Sequence, residues 1–335
     1  MKVAVIGCGN ISKVHFAALS ENPDVQIIAV ADIIPERADN AAAKYGAKSF
    51  YSFDELLENE SPDAIHICTP HYLHTEMAVK ALKKGINVLV EKPCSVSSEE
   101  VETLRNAQKE SGRQLAVCFQ NRYNSCVTKA DEIISSGRLG KVKSVRGFVT
   151  WSRDEDYYSD DWHGTLEKEC GGVLINQAIH TVDLIQHFGG KCKKITAHVS
   201  NDHLKGIIEV EDNASVLMEL DNGVTALLYA TTAYAENSEV LIEIALENGK
   251  LRLEGEKLYE ITADRFSEIC SKSEGIYHGE SYWGTGHSVL INDFYDCLKT
   301  GRKFETDSFE GGHAAKIVAA SYLSAKENQP VEIIF

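Results

Sequence analysis

Lys92, Asn176 and His180, with the glycines Gly7 and Gly9, are the residues of this chain whose types and surroundings could hold a phosphate and move a proton. The glycines lie in the run KVAVIGCGNIS, where the stretch Val3-Ala4-Val5-Ile6 meets the turn Gly7-Cys8-Gly9. A helical pattern then begins at Asn10, with Ile11, Val14 and Ala18 apolar. In such a strand–turn–helix, Gly7 permits the sharp turn and Gly9 lets a pyrophosphate approach the backbone. Asn10 and Ile11, at the helix N-terminus, offer free N–H groups and a positive dipole end to the phosphates. Ser12 stands where a third glycine would complete the fingerprint, and a small serine still allows close helix–strand packing.

The acidic partner of such a turn is expected about twenty residues further on, at the end of the next strand. Asp32 follows the buried-strand pattern Gln26-Ile27-Ile28-Ala29-Val30-Ala31, placed to accept both hydroxyls of an adenosine ribose. Ile33, Ile34 and Pro35 come next, with no adjacent arginine to hold a 2′-phosphate, so the expected coenzyme is NAD rather than NADP. Loops after the carboxyl ends of parallel strands line the ligand crevice. Thr69, Pro70 and His74 are therefore candidate contacts for the nicotinamide half, with a plain loop as the alternative. Zinc at Cys68, His71 and His74 would need further ligands at matched spacing, and no metal is expected.

Glu91-Lys92-Pro93 leaves the strand Asn87–Val90 on the same side, which turns Glu91 and Lys92 toward that crevice. On position alone, a surface lysine and a functional one fit equally. Asn176, His180 and Asp183 are spaced four and three apart, which puts them on one face of a helix that Val173, Leu174, Ile179, Val182 and Leu184 hold in the core. A histidine so placed is more often a satisfied core residue than a catalyst. Before it, residues 153–169 form a loop dense in acids and aromatic rings, among them Tyr157, Tyr158, Trp162 and His163. Such rings stack on the apolar face of a sugar, or the loop is simply a mobile solvated one.

The elements that must position these groups change character along the chain. Up to residue 122, strand patterns alternate with helices, which demands a parallel sheet covered on both faces. A bridging helix over 126–136 leads into a region built mainly of strands, where Asn222-Gly223 and Asn248-Gly249 mark hairpins. The expected fold class is α/β: an N-terminal Rossmann doubly wound parallel sheet, residues 1–122, and a C-terminal α+β domain, residues 123–335, with a large, mainly antiparallel open sheet. The C-terminal helix is able to pack back on the first domain. The mixed face of the second sheet, including Leu217 and Leu227, could pair subunits into a homo-oligomer, a dimer or tetramer.

At 335 residues the length suits two domains, and 34 basic against 50 acidic residues, net −16, oppose binding to nucleic acid or to an anionic membrane. No apolar run reaches transmembrane length and the N-terminal stretch has no signal-cleavage pattern, so a cytoplasmic protein is expected. The nine cysteines, without a C-x-x-C, read as reduced core residues.

The run VLVEKP after a G-x-G-x-x-small fingerprint resembles the Gfo/Idh/MocA oxidoreductases, as does GG-x-L-x-N-x-x-x-H-x-x-D at 171–183, in the N-Q-x-I-H form of one branch. The resemblance extends over nearly all of the chain. It implies that Lys92 is the active-site lysine beside the nicotinamide, that the Lys92–Pro93 bond is cis, and that Asn176 and His180 face the substrate. It also turns the loop with Tyr158 and Trp162 into a sugar-binding lid. The run Tyr282–His287, ahead of another helix, could close the same pocket, or His287 could equally be a helix-start residue. Many members carry aspartate where this chain has Asn176, and a neutral amide cannot raise the histidine pKa as a carboxylate would. The implied activity is an NAD-dependent oxidoreductase acting on a secondary hydroxyl or ketone of a sugar, glycoside or cyclitol, with Lys92, His180 and Asn176 as the catalytic group. The alternatives are an NAD-using glycosidase and a non-catalytic NAD-binding regulator.

Overall fold

The computed structural model describes residues 1–271 and 286–334. In the N-terminal part the elements run β1 (Lys2–Ile6), α1 (Ser12–Glu21), β2 (Gln26–Ala31), α2 (Pro35–Tyr45), β3 (Lys48–Phe50), α3 (Phe53–Asn59), β4 (Ala64–Ile67), α4 (His74–Lys83), β5 (Asn87–Val90), α5 (Ser98–Ser111) and β6 (Leu115–Val117). There follow α6 (Ser125–Ser135), β7 (Val142–Thr150), α7 (Ile179–Gly189), β8 (Cys192–Ser200), β9 (Asn213–Leu220) and β10 (Thr225–Thr231). The chain continues with β11 (Leu241–Leu246), β12 (Gly249–Glu254), β13 (Lys257–Ile261), β14 (Phe266–Cys270), α8 (Gly286–Thr300), α9 (Gly312–Glu327) and β15 (Val331–Glu332). These form two compact units, Met1–Gln120 with Gly275–Gly312, and Asn121–Glu274 with His313–Phe335.

The first unit is a parallel sheet of order β3-β2-β1-β4-β5-β6. β1, β4 and β5 are short apolar runs because they are covered on both faces, and Val3, Val5, Ile65, Ile67, Val88 and Val90 are fully buried. Helix boundaries follow local chemistry. Ser52 and Ser97 accept the N–H of Glu55 and Glu100 and so cap α3 and α5, while Gly46 and Gly112 close α2 and α5 in the left-handed conformation. The helix after the glycine turn begins at Ser12 rather than Asn10, because Asn10 and Ile11 lie in a tighter turn, with the N–H groups of Lys13 and Val14 bonded to their carbonyls. The later helix that belongs to this unit is α8, which packs on α1, whereas α9 belongs to the second unit.

The second unit holds a nine-stranded sheet of order β14-β13-β12-β11-β7-β10-β9-β8-β15. Its pairs are antiparallel except β7 with β10, whose long crossover contains α7. α7 packs over β7, β10 and β11, meeting a face that alternates cleanly: Ala214, Val216, Met218 and Leu220 of β9 point inward while Leu217 stands 49% exposed. The hairpin at Asn222-Gly223 forms as expected between β9 and β10. In the next one, Leu246 pairs with Gly249, so the two loop residues are Glu247-Asn248 and Gly249 already belongs to the strand. Glu243, on the mixed face, is buried under Arg146, Lys250 and Arg252, whose charges and hydrogen bonds outweigh its desolvation and hold its carboxyl below the usual range.

Within this unit, Arg122 reaches Asp183 on α7 in a buried two-point ion pair, Nε to Oδ2 at 2.7 Å and Nη2 to Oδ1 at 2.6 Å. Removing one partner would strand the other charge in the core. Asp183→Ala is expected to lower the unfolding free energy by about 3–5 kcal/mol in urea titration, and a loss below about 1 kcal/mol would show that water already reaches Arg122.

Candidate active site

The glycine turn is shaped by contact. Gly7 has φ +88°, and a Cβ there would lie 2.5 Å from the Cys68 carbonyl oxygen at the end of β4, so only glycine fits. Gly9 is different, since a Cβ would meet nothing within 4 Å. The protein itself does not require glycine at that position, which fits a backbone kept bare for a ligand. Ser12 is buried and its hydroxyl donates to the Gly9 carbonyl at 2.7 Å, tying helix to turn where the third glycine is missing.

Asp32 sits against this turn. Its Oδ2 accepts the Cys8 N–H at 2.8 Å and its Oδ1 the Ile34 N–H at 2.8 Å, which fixes the carboxylate and leaves each oxygen a lone pair. Ile33 beside it is 84% exposed. Cys8 is pushed up to about 12 by burial and then by Asp32, with Arg37 of α2 acting in the opposite sense. A guanidinium is thus within electrostatic reach of the turn, although no arginine adjoins Asp32 in sequence.

The Thr69-Pro70 and Glu91-Lys92-Pro93 loops are joined by His74, whose Nδ1 lies 2.7 Å from the Pro93 carbonyl and Nε2 2.7 Å from the Thr69 carbonyl. His74 is buried, so its place is to lock the two loops together. Burial pushes it down and the two carbonyls pull it back up. The Lys92–Pro93 bond is cis and Lys92 is half-buried. Glu91 is buried: His15 on α1 lies 2.9 Å from its Oε1, and the Lys92 N–H donates to its Oε2 at 3.2 Å. Burial alone would raise the Glu91 carboxyl, but the hydrogen bond from His15, with the Lys92 charge beside it, holds it well below the usual carboxylate range.

In the second unit, α7 starts at Ile179, so His180 is in its first turn and Asn176 precedes it in a turn closed by the Ala178 N–H on the Val173 carbonyl. The expectation of one regular helix through Asn176 is corrected here, because the Ala178 N–H reaches five residues back to Val173 rather than four; buried Glu211 takes the N–H groups of Gly172 and Leu174, at 2.9 and 3.0 Å, into its carboxylate. A Cβ on Gly172 would lie 2.0 Å from the Glu211 carbonyl oxygen, which demands glycine. Burial raises the Glu211 carboxyl above its ordinary value, against those donors and the Tyr322 hydroxyl at 2.9 Å.

Asn176 meets a buried carboxylate after all. Its Nδ2 donates to Glu169 Oε1 at 2.6 Å, a residue that sequence reasoning passed over. A carboxylate only accepts, so the amide nitrogen must face Glu169 and the amide oxygen points elsewhere. Asn176→Asp would therefore put two carboxylates together. Asp183, three residues past His180, is committed to Arg122. In the aromatic loop, the Tyr157 hydroxyl lies 3.2 Å from Gln177 Nε2 and 3.5 Å from Asn176 Nδ2, and Arg153 covers the Tyr157 ring. Tyr158 packs on the cluster Leu204, Ile208 and Val210, and Trp162 lies against His163 with ring centroids 3.8 Å apart and the planes tilted by 35°. Tyr282–Thr285 lie outside the described residues.

Known proteins bear on this geometry. Residues 1–119 match the oxidoreductase family with an NAD-binding Rossmann fold, Gfo/Idh/MocA, and residues 127–252 match a C-terminal domain of the same family. An uncharacterized oxidoreductase of Synechocystis is 30% identical over 77% of this chain and 72% of its own length. D-glucoside 3-dehydrogenase of Escherichia coli is 27% identical over 99% of this chain and 97% of its own. The WlbA dehydrogenase of Bordetella pertussis, solved with NADH and UDP-GlcNAcA, superposes with TM-score 0.87 at 28% identity, covering 100% of this chain and 99% of that one. The chain belongs to the Gfo/Idh/MocA oxidoreductase family, and its first unit carries the family's NAD-binding domain. No helix among the described residues is long and apolar enough to cross a membrane.

Two outcomes are expected. Asp32→Ala should weaken NAD by about ten- to a hundredfold in a binding titration, with less loss for NADP, and equal weakening of both would reduce Asp32 to a loop brace. The second concerns acid. Burial lowers the pKa of His66, His74 and His287, the last to about 4. The unfolded chain protonates these groups near pH 6.5 while the folded chain does not, so stability held above that pH is lost as the pH falls toward the folded values. Each contributes a slope of up to about 1.4 kcal/mol per pH unit where only the unfolded chain binds its proton. Urea midpoints measured across this window should show that slope, and His287→Gln should remove one group's share.

Proposed function

We propose that this protein is an NAD-dependent dehydrogenase that moves hydride between the nicotinamide and a secondary hydroxyl or ketone carbon of a sugar, glycoside or cyclitol. The observation that carries the reading is the first unit's geometry. An anchored Asp32 faces a turn whose Gly9 backbone is bare, in a chain that also presents Lys92 at the carboxyl end of β5. Asp32 accepts the ribose hydroxyls, and the exposed Ile33 offers an apolar surface to the adenine. The backbone at Gly7, Gly9, Asn10 and Ile11 receives the pyrophosphate. Thr69, Pro70 and Glu91 shape the nicotinamide end, with His74 holding their loops. Bound NAD supplies the hydride acceptor.

The chain's own groups handle the proton. Lys92 orients the reacting hydroxyl and His180 takes its proton as hydride leaves carbon, returning it in the reverse reaction. Asn176, its nitrogen engaged by Glu169, offers its oxygen to a substrate hydroxyl. Tyr157 and Trp162 supply apolar ring faces for the sugar, and Tyr158 braces that loop. Leu217 and Leu227, paired across β9 and β10 and each more than two-fifths exposed, offer an apolar patch through which a second copy makes a homo-oligomer. Cys68, Cys94, Cys118, Cys192 and Cys297 are buried thiols, in keeping with action in the cytoplasm.

The test is a panel of sugars, glycosides, cyclitols and nucleotide-linked sugar acids incubated with NAD, followed at the NADH absorbance band and by product analysis. Formation of NADH with a ketone product is expected. Glycoside cleavage without net NADH would make the protein a glycosidase, and NAD binding without turnover of any member would make it a regulator. On the best substrate, His180→Ala should lower kcat by about a hundred to ten thousand times with NAD affinity nearly unchanged. Near-normal turnover would return His180 to the core.

A further inference from the structure

A line of hydrogen bonds runs through the core of the first unit and ends at the backbone N–H of Lys92. The Tyr295 hydroxyl on α8 lies 2.8 Å from His66 Nε2 on β4, and His66 Nδ1 lies 2.8 Å from His15 Nδ1 on α1. His15 Nε2 lies 2.9 Å from Glu91 Oε1, and the other Glu91 oxygen accepts the Lys92 N–H. Tyr295, His66 and His15 have no exposure and Glu91 has 5%.

With both histidines neutral, one proton arrangement satisfies every contact. An ionised Glu91 can only accept, so His15 Nε2 donates to it and His15 Nδ1 must accept. His66 Nδ1 then donates, and its Nε2 accepts from Tyr295. Moving a proton along this line would leave a tyrosinate at Tyr295, whose hydroxyl burial pushes far up. The line is therefore a fixed brace for a buried charge rather than a conduit. His15, Glu91 and Cys118 could also be read as metal donors, all lying within 4.8 Å of one another. Two tetrahedral zinc ligands sit about 3.3 Å apart, whereas His15 and Glu91 are at direct hydrogen-bond distance. Apolar side chains would fill this space at less cost than four polar groups. The groups that act on Glu91 from the elements around it include His15, His66, Cys68, His74, Cys118, His287 and Lys92, and both thiols are held neutral by burial.

We propose that His15 and Glu91 are positioning residues that act through Lys92: the Tyr295–His66–His15 line keeps Glu91 anionic in the core, so that its charge, next to Lys92 in the chain, favours the ammonium form of that side chain. This rests on the role given to Lys92 above, but its test does not need a substrate. Trace acetylation of the full chain at about pH 8, with mass-spectrometric counting of Lys92 against the other lysines, reads the neutral fraction of that amine, and a tenfold rise corresponds to one pKa unit.

Glu91→Gln, which keeps the shape and removes the charge, and His15→Leu, which removes the donor, are each expected to raise Lys92 labelling about tenfold, while His15→Gln, whose amide can still donate, stays within about threefold of the unaltered chain. If His15→Leu does not fold, the near-isosteric Glu91→Gln carries the test. Unchanged labelling in Glu91→Gln, or stoichiometric metal in the purified chain that His15→Leu abolishes, would overturn the inference. Lys92→Ala assayed in parallel separates the two levels. Lost turnover with unchanged labelling in the other variants sinks only the brace, whereas retained turnover sinks the role of Lys92 itself.

Discussion

Each unit buries a carboxylate beside its candidate reactive residue, and a buried carboxylate without partners is too costly to persist. Much of the local architecture answers that constraint. In the first unit, Glu91 is met by His15, and His15 in turn requires His66 and Tyr295 to settle its tautomer. In the second, Glu169 is met by Asn176, and Glu211 by two backbone N–H groups and Tyr322. These partners decide where loops bend and helices begin. Glu211 holds the turn that leads into α7, and the Lys92 loop sits where Glu91 can be reached from α1.

The parallel sheet then determines what such a braced loop can do. Strands β1, β4 and β5 end on one edge, so Gly7, Thr69 and Lys92 emerge together. The crowding of Gly7 against Cys68 is the closest expression of this: the turn after β1 packs on the end of β4, and no side chain fits between them. The same edge that makes room for a dinucleotide thus leaves little freedom for its own backbone. Gly9, one step further along, is open, and the contrast between the two glycines separates a packing requirement from a ligand requirement.

Membership of an oxidoreductase family tells less about substrate than about coenzyme. The Rossmann unit is defined by its backbone turn and one acid, which vary little with the reaction. In the second unit, the side chains proposed to meet substrate, such as Tyr157 and Trp162, come from a loop, the kind of segment that tolerates change. An asparagine fixed by a buried glutamate is a local solution of that kind. It keeps a carboxylate close to the segment that carries the candidate histidine His180.

The amino-acid sequence by itself determined the alternation of apolar strands and helices that makes a parallel sheet, the glycine turn with Asp32, and the hairpin at Asn222-Gly223. Each of these is a short-range pattern, written in residues that are neighbours along the chain. Resemblance to a family then singled out Lys92, Asn176 and His180 from positions that residue chemistry alone left undecided. Only the tertiary structure decided who their partners are. His15 and Glu91 are 76 residues apart, Arg122 and Asp183 are 61 apart, and α8 joins α1 from the far end of the sequence. His15 reads in sequence as one more residue on the buried face of a helix, and Glu169 as one more acid in an acidic loop. Periodicity reports which side of an element is buried, but it carries no record of which polar group waits across the core, because that is set by how the elements pack.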